Sequence, residues 1–194
     1  MNHKEIIKRL LRMTSRQGIE SLIECMEQIG FYDAPCSSKY HLAIPGGLAK
    51  HSINVFRNAI FMAEDLYLKQ DKPLTFAEVD SIVICSLLHD LGKSGQFGKP
   101  NYKMILVDDE STQCAESVTY KTNENLLYVP HEIRSIAIAS RHIELTEEEQ
   151  YAILYHNGLY GELKGFKGKE TPLLLLLHHA DMWAARVTEK EDKQ

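Results

Sequence analysis

The run Ile82-Val83-Ile84-Cys85-Ser86-Leu87-Leu88, followed at once by His89-Asp90-Leu91-Gly92-Lys93, constrains this chain more than any other segment. So apolar a run does not suit a surface helix and belongs in a core. A carboxylate at the end of a core helix is costly unless something positive meets it. Neutral imidazole and carboxylate are ordinary ligands for divalent first-row metals, so a metal ion satisfies both residues. Neighbouring helical residues diverge by about 100°. One ion can therefore take the imidazole nitrogen and one carboxylate oxygen, leaving the second oxygen free to bridge to another ion. Gly92 is expected to end the helix, with Lys93 just beyond, where it meets an anion.

The chain has 194 residues, enough for one domain with a real core. Its net charge of -5 weighs against a nucleic-acid binder with a basic face. That argument is limited, because carboxylates that hold metal do not repel an anionic substrate once the metal is bound. Cysteines stand at 25, 36, 85 and 114 with no Cys-x-x-Cys spacing. Free thiols in a cytoplasmic protein are the expectation. Met1-Asn2-His3-Lys4-Glu5 opens a charged amphipathic stretch rather than a signal peptide. No apolar run approaches the roughly 20 residues needed to span a membrane.

Helix signals dominate. Amphipathic segments run to about Arg12 and from Arg16 to Ile29, stopping at Gly30; a loop covers 31 to 47. A long helix is expected from Leu48 to Leu68, and the apolar run forms the next. Residues 94 to 130 break the pattern with Gly95, Gly98 and Pro100. Tyr102 to Val107 is β-prone, Asp108-Asp109-Glu110 suits a turn, and Ser117 to Tyr120 suits a returning strand, so this segment reads as an irregular or hairpin insertion. Helices resume from His131 to Arg141. Thr146-Glu147-Glu148-Glu149 has the form of a capping box, and that helix closes at Gly158. Thr171-Pro172 opens the last helix, and the tail from Glu189 to Gln194 is expected to be frayed and solvated.

Four of these helices offer an imidazole or a carboxylate to the interior. His51 falls on the stripe Leu48, His51, Val55, Ala59, Met62, Leu66. His156 follows Ala152 and Ile153 on an inner face, and His131 opens a helix after Pro130. Asp181 shares a stripe with Leu174, Leu177 and Ala185. Each has an ordinary alternative. His51 alone reads as a hydrogen-bonded core histidine, His131 as a helix-end residue, and Asp181 as a partner of Arg186 or Lys93. His178 and His179 suit either the surroundings of Asp181 or plain packing, the latter beside Leu175 and Trp183. A single shared cause accounts for His51, His89, Asp90, His156 and Asp181 more economically than separate ones.

The order His51, His89-Asp90, Asp181 resembles the HD superfamily of metal-dependent phosphohydrolases. The stretches that carry the resemblance are Gly46-Gly47-Leu48-Ala49-Lys50-His51-Ser52, Leu87 to Lys93, and Leu177-His178-His179-Ala180-Asp181. It covers about residues 36 to 187. It implies an all-α helical bundle, with the insertion around 94 to 130 and the helices of residues 1 to 30 packed on the core, all within one domain over 1 to 194. It also implies one or two divalent ions. His51, His89, Asp90 and Asp181 would hold the first, and Asp90 would bridge to a second held by His131 and His156. Pro130 departs from the glycine that relatives often carry there, and His142 is a competing histidine read as surface.

Ligand chemistry favours Fe, Mn, Zn or Ni over Mg. Two ions about 3.5–4 Å apart can share a hydroxide and present it in line to phosphorus. Lys93 would contact a phosphate oxygen as a point charge, where its ordinary role is a solvated helix-end cation. The expected activity is hydrolysis of a phosphoester bond in a nucleotide or related phosphodiester, with Asp90 and Lys93 as catalytic residues. A one-metal 5'-nucleotidase and a non-catalytic nucleotide-binding regulatory module are the alternatives. The expected partner is a small-molecule phosphate ester. Nucleic acid is the less favoured substrate, and the basic run Lys164-Gly165-Phe166-Lys167-Gly168-Lys169 is the feature that suits it.

Overall fold

A helix seldom buries its whole circumference, and one whose C-terminal half does so organises the rest. The computed structural model describes residues 2–96, 98–108, 116–158 and 168–190. Among these the α-helices are α1 His3–Met13, α2 Ile19–Gln28, α3 Gly47–Leu68, α4 Phe76–Leu88, α5 His131–Ala139, α6 Glu147–Tyr155 and α7 Pro172–Trp183. Every residue of α4 from Ile82 to Leu88 is buried, and α1, α3, α6 and α7 pack around it. Each buried aliphatic side chain contributes about 1.5–3 kcal/mol. That gain holds α4 centrally and carries the two polar residues at its end into the interior.

Caps fix where these helices begin. Thr75 and Glu78 form a capping box on α4, and Thr146 and Glu149 form another on α6. Glu149 is itself fully buried, and also accepts from Ser81 at 2.7 Å and from Arg16. Thr171 caps α7 by accepting from the Leu174 N–H at 3.3 Å, with Pro172 in the first turn. Along α3 the expected stripe is buried at Leu48, His51, Val55 and Ala59, but Leu66 is 45% exposed. The last turns of that long helix run past the core.

The insertion contains two antiparallel hairpins. Strand β1 Gly95–Gln96 pairs with β2 Lys99–Pro100, and β3 Tyr102–Asp108 pairs with β4 Glu116–Thr122, with Met104 opposite Tyr120. The all-α architecture with a small hairpin insertion is therefore the observed one. The expected turn at 109–110, the basic run at 164–167 and Cys114 lie outside the described residues. Cys25, Cys36 and Cys85 are free. Among the described residues no helix is long and apolar enough to cross a membrane.

Three expectations need correction. Gly92 does not end α4 as a left-handed residue. The helix stops at Leu88, and Gly92 lies inside a 3-10 turn, Leu91–Ser94. A Cβ there would collide with the His131 carbonyl and Arg134 Cβ, so the glycine permits close approach of α5. His179 does not pack inward; it is exposed, on the side of α7 that shows Leu175 and Trp183 to solvent. Glu189 is not frayed, being 1% exposed. α7 continues into a π-helical turn, Ala184–Thr188, which rotates the chain so that Glu189 points inward.

Candidate metal centre

His51 comes from α3, His89 and Asp90 from the end of α4, His131 from the first position of α5, His156 from the residue after α6, and Asp181 from α7. His51 and His89 are 0% exposed, and Asp90 and His156 are 1%. Their rings follow one another, with centroids 5.4 Å apart for His51 and His89, 4.8 Å for His89 and His156, and 5.4 Å for His156 and His131.

One nitrogen of each ring has a clear partner. His89 Nδ1 lies 3.0 Å from the Ser86 carbonyl and His156 Nδ1 lies 2.8 Å from the Ile153 carbonyl. A carbonyl only accepts, so both Nδ1 atoms carry the hydrogen. His51 Nδ1 lies 3.0 and 3.1 Å from the two oxygens of Glu189, and His131 Nδ1 lies 3.4 Å from Glu132 Oε2. In a neutral His51 ring the two Glu189 oxygens favour the same assignment, although Asp181 on the other nitrogen competes for the hydrogen. The four Nε2 atoms all face inward, and what they face is carboxylate.

Asp90 lies between them. Its Oδ2 is 3.4 Å from His89 Nε2, 3.6 Å from His51 Nε2 and 2.6 Å from Lys93 Nζ. Its Oδ1 is 3.1 Å from His131 Nε2 and 3.7 Å from His156 Nε2. Asp181 Oδ1 is 3.1 Å from His51 Nε2 and 4.0 Å from His89 Nε2. The two oxygens of one carboxylate thus look into two histidine pairs, and Asp181 closes the first.

These facing acceptors test the site's fit to a cation. His51 Nε2, His89 Nε2, Asp90 Oδ1 and His131 Nε2 are buried without a hydrogen-bond partner. A buried acceptor left unsatisfied costs about 1–3 kcal/mol, and here several converge. A divalent cation satisfies them together, and the imidazole–carboxylate set suits a borderline first-row metal. Groups that could hold an ion include His51, His89 and Asp181; His89, Asp90 and His156; and His131, Glu132 and His156.

The electrostatics of His156, Asp90 and Lys93 agree with that chemistry, whereas at His51 burial opposes the charged ring but Cys36, Asp181 and Glu189 together hold it well above the usual imidazole value. Burial, and then the neighbouring His89, push His156 down to about 3, which leaves a neutral imidazole. Burial works against the charge of Asp90, yet Lys93, His89 and His131 hold its carboxyl well below the usual carboxylate range. Burial likewise opposes the ammonium of Lys93, and Asp90 beside it holds that group well above its ordinary value.

A cleft of about 160 Å³ leads outward, lined by His41, Lys93, Asn157, His178, Asp181 and Arg186 among others. A roomier recess of about 620 Å³ lies between α4, α6 and α7, near Glu78 and Thr146, and holds none of these candidate ligands.

The structure therefore brings His51, His89, Asp90, His131, His156 and Asp181 to one place, with Lys93 at its edge. His142 is not among them; its Nδ1 meets Ser21 Oγ at 2.7 Å. His178 donates from Nδ1 to the His156 carbonyl at 2.8 Å and so supports the loop after α6. Tyr40 is 71% exposed, whereas His41 stacks near His51 with centroids 5.1 Å apart. Sequence reasoning missed Glu132 and Glu189. Glu132 follows His131 directly, which is a signal of a kind; Glu189 stands in a charged stretch that gives none.

The family model described as the HD domain matches residues 48–186. The 3'-5' exoribonuclease YhaM of Bacillus licheniformis is 30% identical over 164 residues, which is 81% of this chain and 44% of that protein. The protein of the same name from Bacillus subtilis is 28% identical over 172 residues, 85% of this chain and 48% of its own. That of Bacillus velezensis is 28% identical over 158 residues, 78% and 43% respectively. The chain thus spans less than half the length of these curated relatives. No solved structure matches it at a significant level.

Proposed function

Because this chain belongs to the HD-domain family of metal-dependent phosphohydrolases, we propose that it cleaves phosphodiester bonds at the 3' end of ribonucleic acid. In this reading His51, His89, Asp90 and Asp181 would hold one divalent cation, and Asp90, His131 and His156 would hold a second. The observation that carries it is the set of buried, unpartnered nitrogens and oxygen around Asp90. The substrate class rests on the curated relatives, whose shared name is that of an exoribonuclease.

A divalent ion bound there supplies Lewis acidity, polarising phosphoryl oxygens and acidifying water. The protein's own groups do the rest. Hydrogen-bond partners at Nδ1 of His51, His89 and His156 orient those rings, so little reorganisation is needed as charge develops. Lys93 sits where the cleft meets Asp90. It presents a point charge to a non-bridging phosphate oxygen. Mn, Fe, Zn or Ni suits this nitrogen-rich set better than Mg.

A second reading, hydrolysis of a free nucleotide, is favoured by the small volume of the cleft, about 160 Å³. One assay separates the two. Protein loaded with Mn2+ is given RNA labelled at its 5' end, the matching DNA, cyclic dinucleotides and nucleoside monophosphates. Progressive shortening of the RNA from its unlabelled end is the expected result. Turnover of nucleotides alone would transfer the assignment to the second reading.

A further inference from the structure

We infer that Glu189 is a positioning residue for the metal centre, holding His51 in the one tautomer and orientation in which its Nε2 can bind a cation. The inference rests on the metal-centre reading above and extends it to a residue that touches no cation itself.

His51 is clasped from both sides. Asp181 Oδ1 lies 3.1 Å from Nε2, and Glu189 Oε1 and Oε2 lie 3.0 and 3.1 Å from Nδ1. Glu189 is in turn held by Asn54 Nδ2, which donates to Oε1 at 3.1 Å from the helix that carries His51. His41 Nε2 stands 3.9 Å from Oε2. The carboxylate is 1% exposed, and an anion is not buried so deeply without a partner that requires it.

The backbone is built for this contact. At about 100° per residue, a continuous α-helix would carry Glu189 roughly 80° around from Asp181. The π-helical turn Ala184–Thr188 intervenes, closed by a bond from the Glu189 N–H to the Ala184 carbonyl at 3.0 Å. Its wider turn takes back that lag, and π-bulges of this kind concentrate at functional sites. One helix thereby delivers two carboxylates to opposite nitrogens of a single ring. Without Glu189, His51 could place its hydrogen on Nε2 and donate to Asp181, which would remove the lone pair from the cation's place.

The test uses the full chain, its Glu189→Ala and Glu189→Gln variants, and Mn2+ as the probe. Nitrogen-15 NMR of the histidine rings in metal-free protein, taken up a pH series until the His51 ring is neutral, reads the tautomer, and chelator competition reads affinity. The expected result is an Nδ1–H tautomer for His51 in the wild type, a shift toward Nε2–H in Glu189→Ala, and about 10- to 100-fold weaker Mn2+ binding at the tighter site. Glu189→Gln, which retains an acceptor oxygen, should recover most of that affinity. It also keeps the test open if the alanine variant does not fold, since affinity far below that of the wild type, or a switched tautomer, in Glu189→Gln would count against an acceptor role. A merely structural glutamate would lower the melting temperature and leave the tautomer and the affinity unchanged, which overturns the inference. A wild-type chain that takes up no Mn2+ overturns the metal-centre reading and this inference with it.

Discussion

Asp90 is the residue to which every other candidate ligand refers, since one of its oxygens faces His51 and His89 and the other faces His131 and His156. Replacing it with asparagine removes the charge that both halves share. Turnover by Asp90→Asn should fall roughly 100-fold or more, with metal content dropping in both halves; near-normal turnover would remove Asp90 from the centre. His156 makes a second test, by acid. It is held down to about 3 by burial, whereas an unfolded histidine titrates near 6.5. Between those values the unfolded chain binds one proton more than the folded chain. This residue's contribution therefore falls as pH falls through that window. Urea midpoints of the metal-free wild type should decline more steeply from pH 6.5 downward than those of His156→Gln, and parallel declines would contradict a neutral buried ring. The His89-Asp90 pair was legible in the sequence because it interrupts an apolar run. Glu189 was not, because its inward turn depends on a π-helical register that has no simple residue signature.

At the scale of elements, the centre depends on how closely the end of α4 can approach α5. Ser135 Oγ accepts from the Gly92 N–H at 2.8 Å and donates to the His89 carbonyl at 2.8 Å. Gly92→Ala forces a methyl against the His131 backbone. It should cost about 1–3 kcal/mol of stability and weaken metal binding at the His131 half, measured by thermal melts and chelator competition. Thr75→Ala is the counterpart at the far end of α4. It removes a capping-box acceptor and should cost about 0.5–2 kcal/mol with metal content unchanged. If both substitutions changed metal binding equally, the local role of Gly92 would be wrong. A glycine after an apolar helix most often signals a left-handed stop, and that local rule is why the sequence led to the wrong role for Gly92. Its true constraint, the nearness of α5, is a tertiary contact between residues some 40 positions apart.

For the whole molecule, each candidate ligand comes from or beside a different helix, except that His89 and Asp90 share one. A cation held by them would couple metal binding to the fold. Binding at a concentration 100 times the Kd adds about 2.7 kcal/mol, so chelation should lower the melting temperature measurably. The helical architecture was legible because apolar spacing marks α3 and side-chain caps mark the starts of α4, α6 and α7. The insertion was only partly so: β3 and β4 stand where the β-prone residues do, but their extent depends on cross-strand pairing that no local pattern specifies. The choice between one cation and two is decided by counting. Metal analysis of anaerobically purified protein should find close to two divalent ions per wild-type chain and close to one in His156→Ala. One ion per chain in both proteins would contradict the shared centre.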